Sequence, residues 1–94
     1  MTKEIIKQAT EAYQAQHFGE FGWQCYRFTT QNGNPVAYVK YTNPLAEYKY
    51  TISAYGNHVI AASTRSDRNK MYDIDGDPVD AILSLLNWMR SYIH

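Results

Sequence analysis

Between residues 21 and 65 the chain alternates apolar and polar positions with a period of two, in four short runs separated by turn-forming residues. The first two runs, FGWQCYRFTT and PVAYVKYT, flank Gln31, Asn32, Gly33 and Asn34. Asn-Gly between strand-like runs favours a type I′ turn, because both residues accept the positive φ that the twist of a hairpin demands. That turn aligns Phe28 with Ala37, Tyr26 with Val39 and Gln24 with Tyr41 on one face. Trp23, Cys25, Arg27 and Thr29 then stand opposite Thr42, Lys40, Tyr38 and Val36 on the other. The third run, EYKYTISAY, places Tyr48, Tyr50, Ile52 and Ala54 on one side. A turn over Asn43 to Ala46 aligns Tyr41 with Tyr48 and Val39 with Tyr50, so two separate turns define one apolar face. Gly56-Asn57 reads as a type II′ turn that returns HVIAASTR with Val59 and Ala61 inward and Ile60 outward.

Helical periodicity flanks these runs. Thr2 is the expected N-cap of a helix reaching about Phe18, with Glu4 in its first turn, His17 in its last and Gly19 as its stop. Ile5, Ile6, Ala9, Ala12 and Tyr13 share one arc, opposite Lys3, Lys7, Glu11 and Gln14. Ser66 to Asp75 is polar and reads as a loop. The second helix is announced by Asp77 as N-cap, Pro78 at the first helical position and Asp80 in the first turn. Its apolar stripe of Val79, Ile82, Leu83, Leu86, Met89 and Ile93 is joined by a second stripe of Ala81, Leu85, Trp88 and Tyr92. Together they exceed what a surface helix needs: either the helix is clamped between the sheet and the first helix, or Leu85, Trp88 and Tyr92 meet a second copy of the chain.

The predicted architecture is α+β: helix, four-stranded antiparallel meander, helix, with both helices on the face that carries Tyr26, Val39 and Tyr50. A length of 94 residues predicts a single domain over 1–94. With one strand added, the element order resembles the double-stranded-RNA-binding domain. Such domains carry basic residues at the start of the last helix, where this chain has Asp73, Asp75, Asp77 and Asp80, and no function is carried over.

Charge sharpens the picture because it is unevenly placed. The chain has 9 basic and 9 acidic residues, which argues against a generally polybasic binder. From Phe21 to Lys70, however, Arg27, Lys40, Lys49, Arg65, Arg68 and Lys70 face only Glu47 and Asp67. The single cysteine, Cys25, allows no intrachain disulfide and no cysteine-based zinc site, which makes the cytoplasm the expected compartment. No apolar run approaches the roughly 20 residues that span a bilayer, so no membrane partner is expected.

Candidate chemistry is sparse. Asp73, Asp75 and Asp77 alternate like the opening of a calcium loop, yet the sixth and twelfth positions counted from Asp73 are Pro78 and Ser84, where such a loop needs Gly and Glu. A turn leading into a capped helix explains these acids without a metal. Cys25 and His58, as thiol and base, fall on the first and fourth strands, three spacings of about 4.8 Å apart. With no phosphate loop, paired histidine ligands or serine elbow, the expectation is a protein without catalytic residues, metal or cofactor.

Nine tyrosines are the strongest oddity of composition. Core packing accounts for Tyr26, Tyr41, Tyr48 and Tyr50 on the predicted buried face. It leaves Trp23 and Tyr38 with Arg27, Lys40 and Lys49 on the other, where a solvated sheet needs only Thr, Lys and Glu. Aromatic rings with cations serve protein interfaces and also single-stranded nucleic acid binders. Zero net charge favours the first, so the sequence predicts a non-catalytic protein-binding module of the inhibitor or adaptor kind, with single-stranded DNA or RNA binding as the alternative use of the same face.

Overall fold

A computed structural model of the chain describes residues 3–16, 22–42 and 47–92. The elements run α1 (Lys3–Gln16), β1 (Trp23–Gln31), β2 (Asn34–Thr42), β3 (Glu47–Tyr55), β4 (His58–Ser63), β5 (Asn69–Asp73) and α2 (Pro78–Arg90). The five strands form one antiparallel sheet in sequence order. The fold is therefore α+β as the pattern predicts, with a fifth strand where the sequence reads as loop. That strand takes the element order a further step from the double-stranded-RNA-binding domain.

The first hairpin turns as its residues dictate: Asn32 and Gly33 both have positive φ, 53° and 80°, the signature of type I′. Beyond it Phe28 pairs with Ala37, and Arg27 with Tyr38. The ladder then slips. Between Cys25 and Arg27 a bulge inserts Tyr26, after which Cys25 pairs with Val39, Gln24 with Lys40 and Trp23 with Tyr41. The extra residue flips every side chain before it to the opposite face. Trp23 and Cys25, expected outside, are thus on the helix side, while Tyr26, expected inside, is outside.

The later registers follow the sequence closely. Val39 pairs with Tyr50 and Tyr41 with Tyr48, although the turn over Asn43 to Ala46 lies outside the described residues. Gly56 has φ 55° while Asn57 has no positive φ, as type II′ requires, and Tyr55 pairs with His58. Val59 and Ala61 are fully buried and Ile60 points to the other face. β5 pairs with β4 through Tyr72 opposite Val59 and Met71 opposite Ile60. It escapes a hydrophobicity reading because it is a five-residue edge strand, NKMYD, in which only Tyr72 is even half-buried. Backbone pairing to one neighbour, not burial, defines it.

Both helices cover the same face. α1 buries Ile6, Ala9 and Tyr13, with Ile5 packed at the margin. Its expected cap at Thr2, its last-turn His17 and its stop at Phe18 and Gly19 lie outside the described residues. α2 starts as predicted, with Pro78 in its first turn and the Asp77 carboxylate accepting from the Val79 amide at 2.9 Å. It buries Ala81, Ile82, Leu85, Leu86 and Met89. These buried residues are enclosed by the sheet and by α1, since α1 packs on α2 and β1 while α2 packs on β4 and β5. Leu85, expected at an interface with a second copy, is fully buried inside this one core. The clamp between sheet and first helix accounts for Leu85, and Ile93 lies outside the described residues.

Two stability comparisons test this layering. Tyr50 is 3% exposed at the centre of the core, so Tyr50→Ala is expected to cost about 3–5 kcal/mol in urea unfolding. Lys49→Ala, one residue away on the open face, should cost ~0.5 kcal/mol or less. Deleting Tyr26 restores strict alternation between Cys25 and Arg27 and should cost near the ~1 kcal/mol of an average change. Deleting Gln24 instead pushes Trp23 out of the core and should match an aromatic truncation, about 3–5 kcal/mol. Equal losses for the two deletions would place the bulge elsewhere.

Candidate interaction surface

The face of the sheet turned away from the helices is organised in cross-strand rows. One row runs Arg27, Tyr38, Thr51, Ala62; the next runs Gln24, Lys40, Lys49. Four of the five residues expected to bind a partner, Arg27, Tyr38, Lys40 and Lys49, are therefore brought together. Trp23 is not. It is 5% exposed within the core, its ring 5.2 Å from Tyr41 and 5.9 Å from Tyr50.

The bulge exchanges Trp23 for Tyr26, which stands 43% exposed at the middle of the cluster. Its ring lies 6.1 Å from that of Tyr38. Lys40 and Lys49 approach the Tyr26 ring at 5.7 and 5.6 Å, and the Arg27 guanidinium approaches the Tyr38 ring at 5.1 Å. Each such contact is worth about 0.5–1 kcal/mol at an exposed position, enough to hold the cations over the rings. Gln31 donates to the Tyr38 hydroxyl at 3.4 Å. Glu47 spans both lysines, Oε2 to Lys40 at 3.7 Å and Oε1 to Lys49 at 3.3 Å. The cluster thus presents two rings and three cations around one carboxylate. Ile60 and Met71 continue the face toward β5, Met71 being 53% exposed.

Tyr26 is the residue that strict alternation misses. The signal for it was present: β1 carries large or soft side chains at both parities, Trp23 and Cys25 at one, Tyr26 and Phe28 at the other. All except Tyr26 end up packed on the core, which a two-residue period permits only if it is broken between them.

The remaining candidates resolve as follows. Asp77 caps α2, and Asp73 Oδ1 lies 2.6 Å from His58 Nδ1 across the β4–β5 pair, so two of the alternating acids have protein partners. Among the described residues no three of His, Cys, Asp and Glu come together. None of their helices is long and apolar enough to cross a membrane. Trp88 and Tyr92 pack edge to face at 5.2 Å, and Tyr92 remains 41% exposed.

Cys25 and His58 are on β1 and β4, with β2 and β3 between them. Cys25 lies on the helix side, the reverse of its expected face, beside a groove of about 460 Å³ between α1 and β1 that Lys3 and Lys7 also line. Burial pushes its thiol above the ordinary value, partly offset by a backbone hydrogen bond at Arg27 and by the charge of Lys3.

No protein family, curated protein or solved structure matches this chain. The reading of the surface accordingly rests on its chemistry.

The thiol supplies a direct check of the flipped register. Because burial disfavours the thiolate, the reactive form of Cys25 is scarcer at pH 8 than in an unfolded chain and grows as pH rises further. Alkylation by iodoacetamide should be several-fold slower in the folded protein than in urea at pH 8, with the gap narrowing toward higher pH. Equal rates in the two states at pH 8 would put Cys25 on the open face.

Proposed function

We propose that this protein is a non-catalytic binding module that docks another protein through the open face of its sheet, with Tyr26, Arg27, Tyr38, Lys40 and Lys49 as the contact residues. One observation carries the reading: a pair of tyrosine rings, Tyr26 exposed beside two lysines and Tyr38 half-buried beside Arg27, on a sheet face that neither described helix covers. Tyr and Arg are the side chains that most often anchor protein interfaces, because they combine apolar area with directional donors. The excess of three cations over one carboxylate favours an acidic partner surface.

Single-stranded nucleic acid is the second reading, supported by the same rings and by the positive excess along β1 to β5. Glu47 at the centre of the cluster weighs against it, since a carboxylate between two lysines repels a phosphate chain. Cations over both rings also compete with bases for the ring faces.

The experiment is a paired measurement on proteins captured by this chain from its native host. The double variant Tyr26→Ala with Tyr38→Ala is expected to keep its melting temperature within a few degrees and to bind at least about 30-fold more weakly, the ~2 kcal/mol of a hot spot. Normal binding by the folded double variant would remove this face from the function. Repeating the titration at two salt concentrations separates the readings, because neutralising several phosphates makes affinity fall by orders of magnitude with salt.

A further inference from the structure

Pairing between β3 and β4 ends at Tyr50 and Ser63, so the first residues of β3 extend past the end of β4. Thr64 still donates to the Lys49 carbonyl through its amide and its hydroxyl, both at 3.2 Å. Beyond that point the strand and the β4–β5 loop separate and leave a cleft of about 230 Å³. Tyr48 and Tyr50 supply its aromatic walls and Arg65 and Arg68 supply two cations, while Lys49, which also lines it, has its ammonium on the open face beside Tyr26, paired with the Glu47 carboxylate. That carboxylate already faces Lys49 at 3.3 Å and Lys40 at 3.7 Å. Among the described residues neither arginine has a carboxylate partner.

Two features hold the loop and the Arg68 guanidinium in place without a ligand. The loop is tied by Ser63 donating its amide to the Arg68 carbonyl at 2.9 Å. The Ser63 and Ser66 hydroxyls accept from the amides of Arg65 and Arg68 at 3.2 and 3.3 Å. The Arg68 guanidinium then stacks on Tyr92, 3.9 Å from the ring centre. Tyr92 packs on Trp88 at 5.2 Å, and Trp88 on Tyr50 at 6.3 Å, so the circuit returns to the wall of the cleft. Stacking occupies the flat of a guanidinium and leaves its N–H edge available, the edge that forks onto an anion.

We propose that this cleft binds a phosphate monoester, the phosphoryl group between Arg65 and Arg68 and its ester substituent against Tyr48 and Tyr50. An excess of two positive charges matches a dianion better than a carboxylate, and paired guanidinium forks match the geometry of phosphate oxygens. The volume suits a phosphoryl group with one ring or a short chain behind it. The circuit also gives Trp88 and Tyr92 a role within the chain, as the platform that aims Arg68. Glu47 and Lys49 border both the cleft and the Tyr26 and Tyr38 cluster, while the two arginines belong to the cleft.

The test is a titration of the isotopically labelled protein with phenyl phosphate, followed on the amides of residues 63–68 and on the arginine side-chain signals. Saturable shifts confined to this region are expected, with affinity at least tenfold lower for Arg68→Gln and for benzoate, which keeps the ring but has one charge. Tyr92→Ala should weaken binding several-fold while Tyr92→Phe, which retains the platform, should not. Tyr26→Ala with Tyr38→Ala should leave the affinity unchanged, so a failure of the open face as a docking surface leaves this result standing. A peptide bearing phosphotyrosine that binds tenfold more tightly than phenyl phosphate identifies a phosphorylated protein as the source, and equal affinity identifies a free ester. Shifts that do not saturate, equal binding of benzoate, or an unaltered affinity in Arg68→Gln overturns the proposal.

Discussion

One layer of helices can cover one face of a sheet, and the described residues form two helices for five strands. Every apolar side chain that α1 and α2 are to bury must therefore be delivered to a single side by the registers of four consecutive strand pairings. The turns do much of this: the β1–β2 and β3–β4 hairpins have positive φ where their residue types predict it, and each fixes the faces of the strands it joins. The result is a core running from Trp23 and Tyr41 through Tyr50, Ile52 and Val59 to Ile82, Leu86 and Met89. The opposite face is left to water or to partners, and its aromatic content departs from what solvation alone favours.

How far the sequence discloses this depends on how many residues vote on each question. The helices and the β2, β3 and β4 registers were legible because many positions agree: the Tyr48, Tyr50, Ile52, Ala54 series, the Asn32-Gly33 turn and the Asp77-Pro78 start each repeat the same message. β5 was not legible, because an edge strand bonded on one side needs no alternating apolar residues, and NKMYD has few. The bulge was not legible either, since one inserted residue leaves no mark on composition and shows only as competing parities within β1. That single insertion moved Trp23 into the core and Tyr26 out of it, while Arg27, Tyr38, Lys40 and Lys49, which lie on the hairpin side of it or on other strands, kept their places.

The second helix shows a different limit. A wide apolar surface on α2 was open to two explanations, burial within the chain or contact with another copy, and periodicity cannot separate them because both bury the same residues. Packing separates them for Leu85, which α1 and the sheet enclose completely. Trp88 and Tyr92 sit at the end of the same stripe, where the enclosure thins and the rings face the β4–β5 loop through Arg68.

An open antiparallel sheet ends in two strands whose outer amides and carbonyls have no neighbour, and such borders readily recruit further strands from other molecules. Here each border is spoiled. β1 carries the extra residue between Cys25 and Arg27, which breaks the regular spacing that an incoming strand would have to match. β5 is five residues long and places Lys70, exposed, opposite Ala61 on the helix side, so a charged side chain would be trapped by any strand added beside it. Extension of the sheet along its plane is therefore disfavoured at both borders. A partner docking as proposed would read the side chains of the open face and not its main chain.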